Sequence, residues 1–242
     1  MRTSNPALKE RTFAQSLPGV ETMTLQGAVN KTVTLLALLV IGAAWTWNMF
    51  SHQGSAAVMP WMLTGVIGAF VVALVLVFKQ TWAPVLAPAY AVLEGVALGG
   101  ISSMFELRYP GIVLQAVALT CGVLFCLLLA YKSRLIQATE NFRLGIVAAT
   151  GGIAVVYLVG FVGSFFGWQI PYIHESGLVG IGFSLVVVVI ASLNLVLDFD
   201  FIERGDGVAP KYMEWYAAFG LILTLVWLYL ELLRLLSKLR SR

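Results

Sequence analysis

Apolar runs separated by short polar connectors make up most of this chain. A helix needs about 20 mainly apolar residues to cross the hydrocarbon of a bilayer. Seven runs meet that requirement: 32–50, 57–78, 82–104, 111–131, 144–166, 176–197 and 213–236. The third carries Pro84 and Pro88 in its first turns. The pattern predicts an all-α membrane protein, a bundle of seven transmembrane helices forming one domain over 31–242. Ahead of it lies a polar segment, 1–30, with Arg2, Lys9, Glu10, Arg11, Glu21, Pro6 and Pro18. That segment is too polar and too long for a cleaved signal peptide, and it predicts a cytoplasmic tail with the first apolar run retained.

Composition agrees with the pattern. Of 242 residues, 60% are hydrophobic and 11% charged, against roughly 45–50% and about 25% in soluble domains. With a mean hydropathy of +0.89 the surface itself is apolar, so the solvent is lipid. The net charge of +3 forms no nucleic-acid patch.

Lys and Arg set orientation. An internal N-terminus puts Arg2, Lys9, Arg11, Lys31, Lys79, Lys132, Arg134, Arg143, Arg204 and Lys211 inside and, before the last helix, only Arg108 outside. Arg234, Lys238, Arg240 and Arg242 would then be external, which makes the last crossing the weakest element. Trp45, Trp47, Trp61, Trp82, Trp168 and Trp215 fall near run ends, where interfacial anchors belong. Gly95 with Gly99, Gly163 with Gly167, and Gly177, Gly180 and Ser184 have the spacing of close helix contacts.

Candidate chemistry is sparse. Cys121 and Cys126 lie in one apolar run and form no CxxC pair. His52 and His174 have no partners spaced for zinc, and HExxH, a Ser, His and Asp pattern, a phosphate-cradling glycine loop and a cofactor fingerprint are all missing from the sequence. A protein that is not an enzyme and has no cofactor is expected.

The acids remain. Glu94 lies about twelve residues into the third run, roughly at the midplane at about 1.5 Å per residue. An ionised carboxylate there costs about 2.5–3.5 kcal/mol to insert, and protonating a Glu at pH 7 costs roughly 3.7 kcal/mol. The costs are comparable. Glu94 is therefore balanced between the two forms, faces water or a cation, or is protonated and bonded to a neighbouring carbonyl.

The second group is Asn194, Asp198, Asp200 and Glu203. Asn194 and Asp198, four apart, share a helix face, and Asp200 points elsewhere. Three acids at a helix C-terminus oppose its macrodipole and offer hard oxygens of the kind Ca²⁺ takes. Asp198, Asp200 and Glu94 are the candidate Ca²⁺ ligands. Glu231 and Arg234, three apart, can pair, and Glu214 suits the N-terminal dipole of the last helix.

The stretch 90–101, the sixth-run end Leu197-Asp198-Phe199-Asp200-Phe201-Ile202 and the final Trp227-Leu228-Tyr229-Leu230-Glu231-Leu232-Leu233-Arg234 together resemble the Bax-inhibitor-like family (transmembrane BAX inhibitor motif), in its bacterial inner-membrane branch. The resemblance implies six helices around a central seventh, and a pH-sensitive Ca²⁺ leak governed by two aspartates. Asp198 matches the first aspartate, and Thr224 stands at the second. Asp200 and Glu94 are then candidates for the missing carboxylate. A second expectation, also from the resemblance, is a regulator of a membrane-embedded AAA protease acting through residues 1–30.

Overall fold

The computed structural model describes residues 21–166 and 177–241; His174, Trp168 and most of the N-terminal tail lie outside these. Seven helices follow one another: α1 Leu25–Gln53, α2 Ser55–Phe78, α3 Ala83–Arg108, α4 Ile112–Lys132, α5 Glu140–Phe165, α6 Leu178–Gly205 and α7 Met213–Arg240. All seven are long and apolar enough to cross a membrane. Their outer faces carry side chains such as Val33, Ile67, Phe70, Leu114, Phe125 and Leu158, and each helix satisfies its own backbone, as hydrocarbon demands.

Helix α1 begins seven residues ahead of the apolar run. Thr24 starts it, accepting from Gly27 N at 3.0 Å, and the preceding residues are tied to the α6–α7 connection. Met23 N donates to the Ala209 carbonyl at 2.7 Å, Lys211 N donates to the Glu21 carbonyl at 3.1 Å, and Leu25 N donates to Asp206 Oδ1 at 2.9 Å. A helix of 29 residues is about 43 Å long, longer than the hydrocarbon is thick, so its ends reach the headgroup layers.

The last helix is central. Its most apolar stretch is 61% buried, against 11% for α5, and it touches α1, α3, α4 and α6. Two faces of α7 do this. Phe219, Ile222, Val226 and Leu233 pack into a core with Leu35, Tyr90, Leu98 and Ile112 of α1, α3 and α4. Leu221, Leu228 and Leu232 pack against Val188, Ala191 and Leu195 of α6.

Helices α1 and α3 touch backbone to backbone. A Cβ on Gly95 would lie 2.2 Å from the Leu39 carbonyl oxygen, and one on Gly99 would lie 2.3 Å from that of Ala43. Only glycine permits this approach.

Candidate functional site

Asp198 sits in α6 about 10 Å before the helix end and turns toward α7. Its Oδ1 lies near Gly220, and the Thr224 hydroxyl is within hydrogen-bonding reach of the carboxylate. That hydroxyl also reaches the Gly220 carbonyl, 3.2 Å away, so its single proton has two competing acceptors. Oδ2 of Asp198 is buried with no partner.

A second pair fixes the register of the α6–α7 seam. Lys238 Nζ donates to Ser184 Oγ at 2.9 Å and to the Gly180 carbonyl at 3.0 Å. Ser184 is fourteen residues before Asp198, and Lys238 is fourteen after Thr224. Two heptads separate the pairs on each antiparallel helix, so the midpoint residues Ala191 and Glu231 share the same face of the seam. Glu231 is 1% exposed. Its Oε2 accepts from Arg234 Nη1 at 2.5 Å and from the Tyr157 hydroxyl at 2.9 Å, while Oε1 has no partner. Among the described residues these two carboxylate oxygens are the buried side-chain polar atoms left unpaired.

Helix α5 joins this seam through three polar side chains at seven-residue spacing. Arg143 pairs with Asp200, Thr150 Oγ1 accepts from Asn194 Nδ2 at 2.8 Å, and Tyr157 bonds Glu231 and accepts from Arg234 at 2.9 Å. Asn194 thus points to α5, and no bond links it to Asp198. Asp200 also faces away from Asp198: Arg204 holds it at 3.0 Å together with Arg143. A pocket of about 390 Å³ opens there, lined by Arg143, Leu197, Asp200, Phe201 and Arg204 among others, and Asp198 does not line it. Glu203 is exposed and accepts from the Tyr131 hydroxyl.

Glu94 approaches α7 from the other side. It lies on the α3 stripe of Tyr90 and Leu98, which packs on the Phe219 and Ile222 face. Thr224 is two residues from both Ile222 and Val226, roughly 200° round the helix. Helix α7 therefore stands between Glu94 and Asp198. Glu94 is half-buried and makes no hydrogen bond or ion pair with a described residue, so no carbonyl bond holds it there. Among the described residues no three His, Cys, Asp or Glu side chains converge to hold a metal. Asp198, Asp200 and Glu94 do not form one ligand set.

Glu214 is a structural lock. Its Oε1 accepts from Thr24 N and Thr24 Oγ1, both at 3.0 Å, and pairs with Lys211 at 3.2 Å. This joins the start of α7 to the start of α1.

The sequence model of the family described as Bax inhibitor 1 like matches residues 5–241. This chain belongs to the Bax inhibitor 1 like family. Neither a curated protein nor a solved structure matches it significantly. In this family member the two positions that the resemblance assigns to paired aspartates, Asp198 and Thr224, are neighbours across the α6–α7 seam. Arg143, Thr150, Tyr157, Ser184 and Lys238 joined the site only in three dimensions. Their signal in the sequence was the seven-residue spacing of 143, 150 and 157 and of 224, 231 and 238.

Proposed function

We propose that this chain is a cation leak pathway of a bacterial inner membrane, with its N-terminal end cytoplasmic, Ca²⁺ the ion to test first, and protonation of Asp198 the control. The observation that carries the reading is the unpaired, buried Oδ2 of Asp198. A buried carboxylate oxygen without a donor is unfavourable, and a proton or a cation is what relieves it. A charged Asp198 draws a cation into the seam, and a neutral one does not. Conduction then rises with pH.

The seam as described is closed. Leucines fill it between Asp198 and Glu231, and Lys238 sets a positive charge across its far end. Opening requires α6 and α7 to part. Helix α5 is the element suited to permit that, because it is little buried and reaches its neighbours through the polar contacts of Arg143, Thr150 and Tyr157.

A liposome flux assay tests this. Protein-dependent Ca²⁺ entry that is altered by Asp198→Asn and little changed by Glu94→Gln supports a pathway on the α6 side of α7. The reverse result moves the pathway to the α3 side, and no protein-dependent entry sinks the reading. The regulator reading has a separate test, deletion of residues 1–20 scored by binding to a membrane protease.

A further inference from the structure

We propose that Glu94 and Tyr90 of α3 form a site for the ammonium head of an amphiphilic amine that enters from the bilayer. The two residues are four apart, on the face of α3 that meets α7. Tyr90 packs edge-on against Phe219, with ring centres 4.9 Å apart, and Ser102 shares a 2.6 Å hydrogen bond with Tyr229. These contacts make α3 and α7 parallel and set Glu94, near the middle of α3, level with Ile222. Glu94 makes no hydrogen bond or ion pair with a described residue. Tyr90 is only 2% exposed, and its hydroxyl likewise has no hydrogen bond to a described residue. That hydroxyl is close enough to the Glu94 carboxylate to feel its charge. None of the three oxygens is sealed among packed atoms, so a ligand can reach them.

No side chain of the bundle supplies the missing cation. Lys31, Lys79 and Lys132 stand near the cytoplasmic ends of α1, α2 and α4, and Arg108 is at the far end of α3. On α7 the nearest charged groups are Glu214 and Glu231, eight and nine residues from Ile222 and so about 12 Å or more along the axis. They are paired with Lys211 and Arg234. A proton removes the charge of Glu94 but gives the new O–H no acceptor among the described residues. A metal ion fits poorly, because one carboxylate and one phenol offer too few oxygens for Ca²⁺, which takes about six to eight, and no further acids converge among the described residues. An ammonium head carries three donors. It bonds the carboxylate and the Tyr90 oxygen together, with the strength of a charge-assisted hydrogen bond, while its alkyl chain stays in hydrocarbon.

This site lies across α7 from Asp198 and is independent of conduction. The test uses the purified full-length protein in detergent micelles at pH 7, where dodecylamine is protonated, with thermal unfolding read as the amine is titrated. Dodecyltrimethylammonium carries the same charge and chain but has no N–H to donate. Glu94→Gln removes the carboxylate charge and Tyr90→Phe the hydroxyl. Glu203→Gln removes a carboxylate elsewhere, at the exposed end of α6. Dodecylamine should stabilise the parent more than dodecyltrimethylammonium does. Its apparent affinity should weaken about tenfold or more in Glu94→Gln, about threefold or more in Tyr90→Phe, and not in Glu203→Gln. No stabilisation by dodecylamine, stabilisation that survives Glu94→Gln, or an equal response to the two amphiphiles overturns the site.

Discussion

Lys238 of α7 donates to the carbonyl of Gly180 in α6 at 3.0 Å, a charged side chain folded back into a protein interface where it is only 6% exposed. On the present account it closes the far end of the seam to cations. Lys238→Met removes that charge and leaves the Gly180 carbonyl and Ser184 without their donor. Ca²⁺ flux in liposomes should rise several-fold, and the protein should lose about 1–3 kcal/mol of stability in detergent unfolding.

Thr224 supplies the hydroxyl that reaches Asp198. Thr224→Val keeps the shape and removes the hydroxyl beside the Asp198 carboxylate, a hydroxyl that also bonds the Gly220 carbonyl. We expect a loss of about 1–3 kcal/mol, measured by thermal unfolding at neutral pH. Thr224→Ser, which keeps the hydroxyl, should stay within about 1 kcal/mol of the parent.

The polar contacts of α5 should differ in weight. Arg143→Gln removes a charged partner of Asp200 and should increase hydrogen exchange across the first turns of α5. Thr150→Val loses a single neutral bond, worth about 0.5–1.5 kcal/mol. Equal exchange in both variants would show that α5 is held by something other than these contacts.

Glycines separate two kinds of crowding. A Cβ on Gly27 would lie 1.9 Å from Glu214 Oε1, a side-chain atom that can move. Gly27→Ala should therefore fold but weaken the Thr24–Glu214 lock, at about 1–3 kcal/mol. At Gly95 the clash is with the Leu39 carbonyl, 2.2 Å away, which cannot move without moving α1. Gly95→Ala should fail to yield monodisperse protein on size-exclusion chromatography, while Gly27→Ala should run as the parent does.

Much of this was legible in the sequence for a physical reason. Lipid as solvent forces long apolar runs, so the seven helices and their order follow from hydropathy, and Gly95 with Gly99 announced a close helix contact. The true starts and ends were not visible. The apolar run from 32 says nothing of Thr24 and Glu214, a lock between residues 190 positions apart. The site was half legible. Asp198 turns toward Gly220 of α7, but proximity in sequence misled for Asp200, which faces two arginines, and depth alone did not reveal that α7 separates Glu94 from Asp198. Glu231 and Arg234 do pair; what periodicity could have added is that Thr224, Glu231 and Lys238 share a face.

The most direct measurement is Ca²⁺ flux into liposomes as a function of pH, for the parent and for Asp198→Asn, with folding of both confirmed by size-exclusion chromatography. If protonation of Asp198 controls the seam, parent flux rises with pH and the variant's flux is flat. A variant that keeps the parent's pH dependence, or a parent whose flux does not depend on pH, contradicts the account.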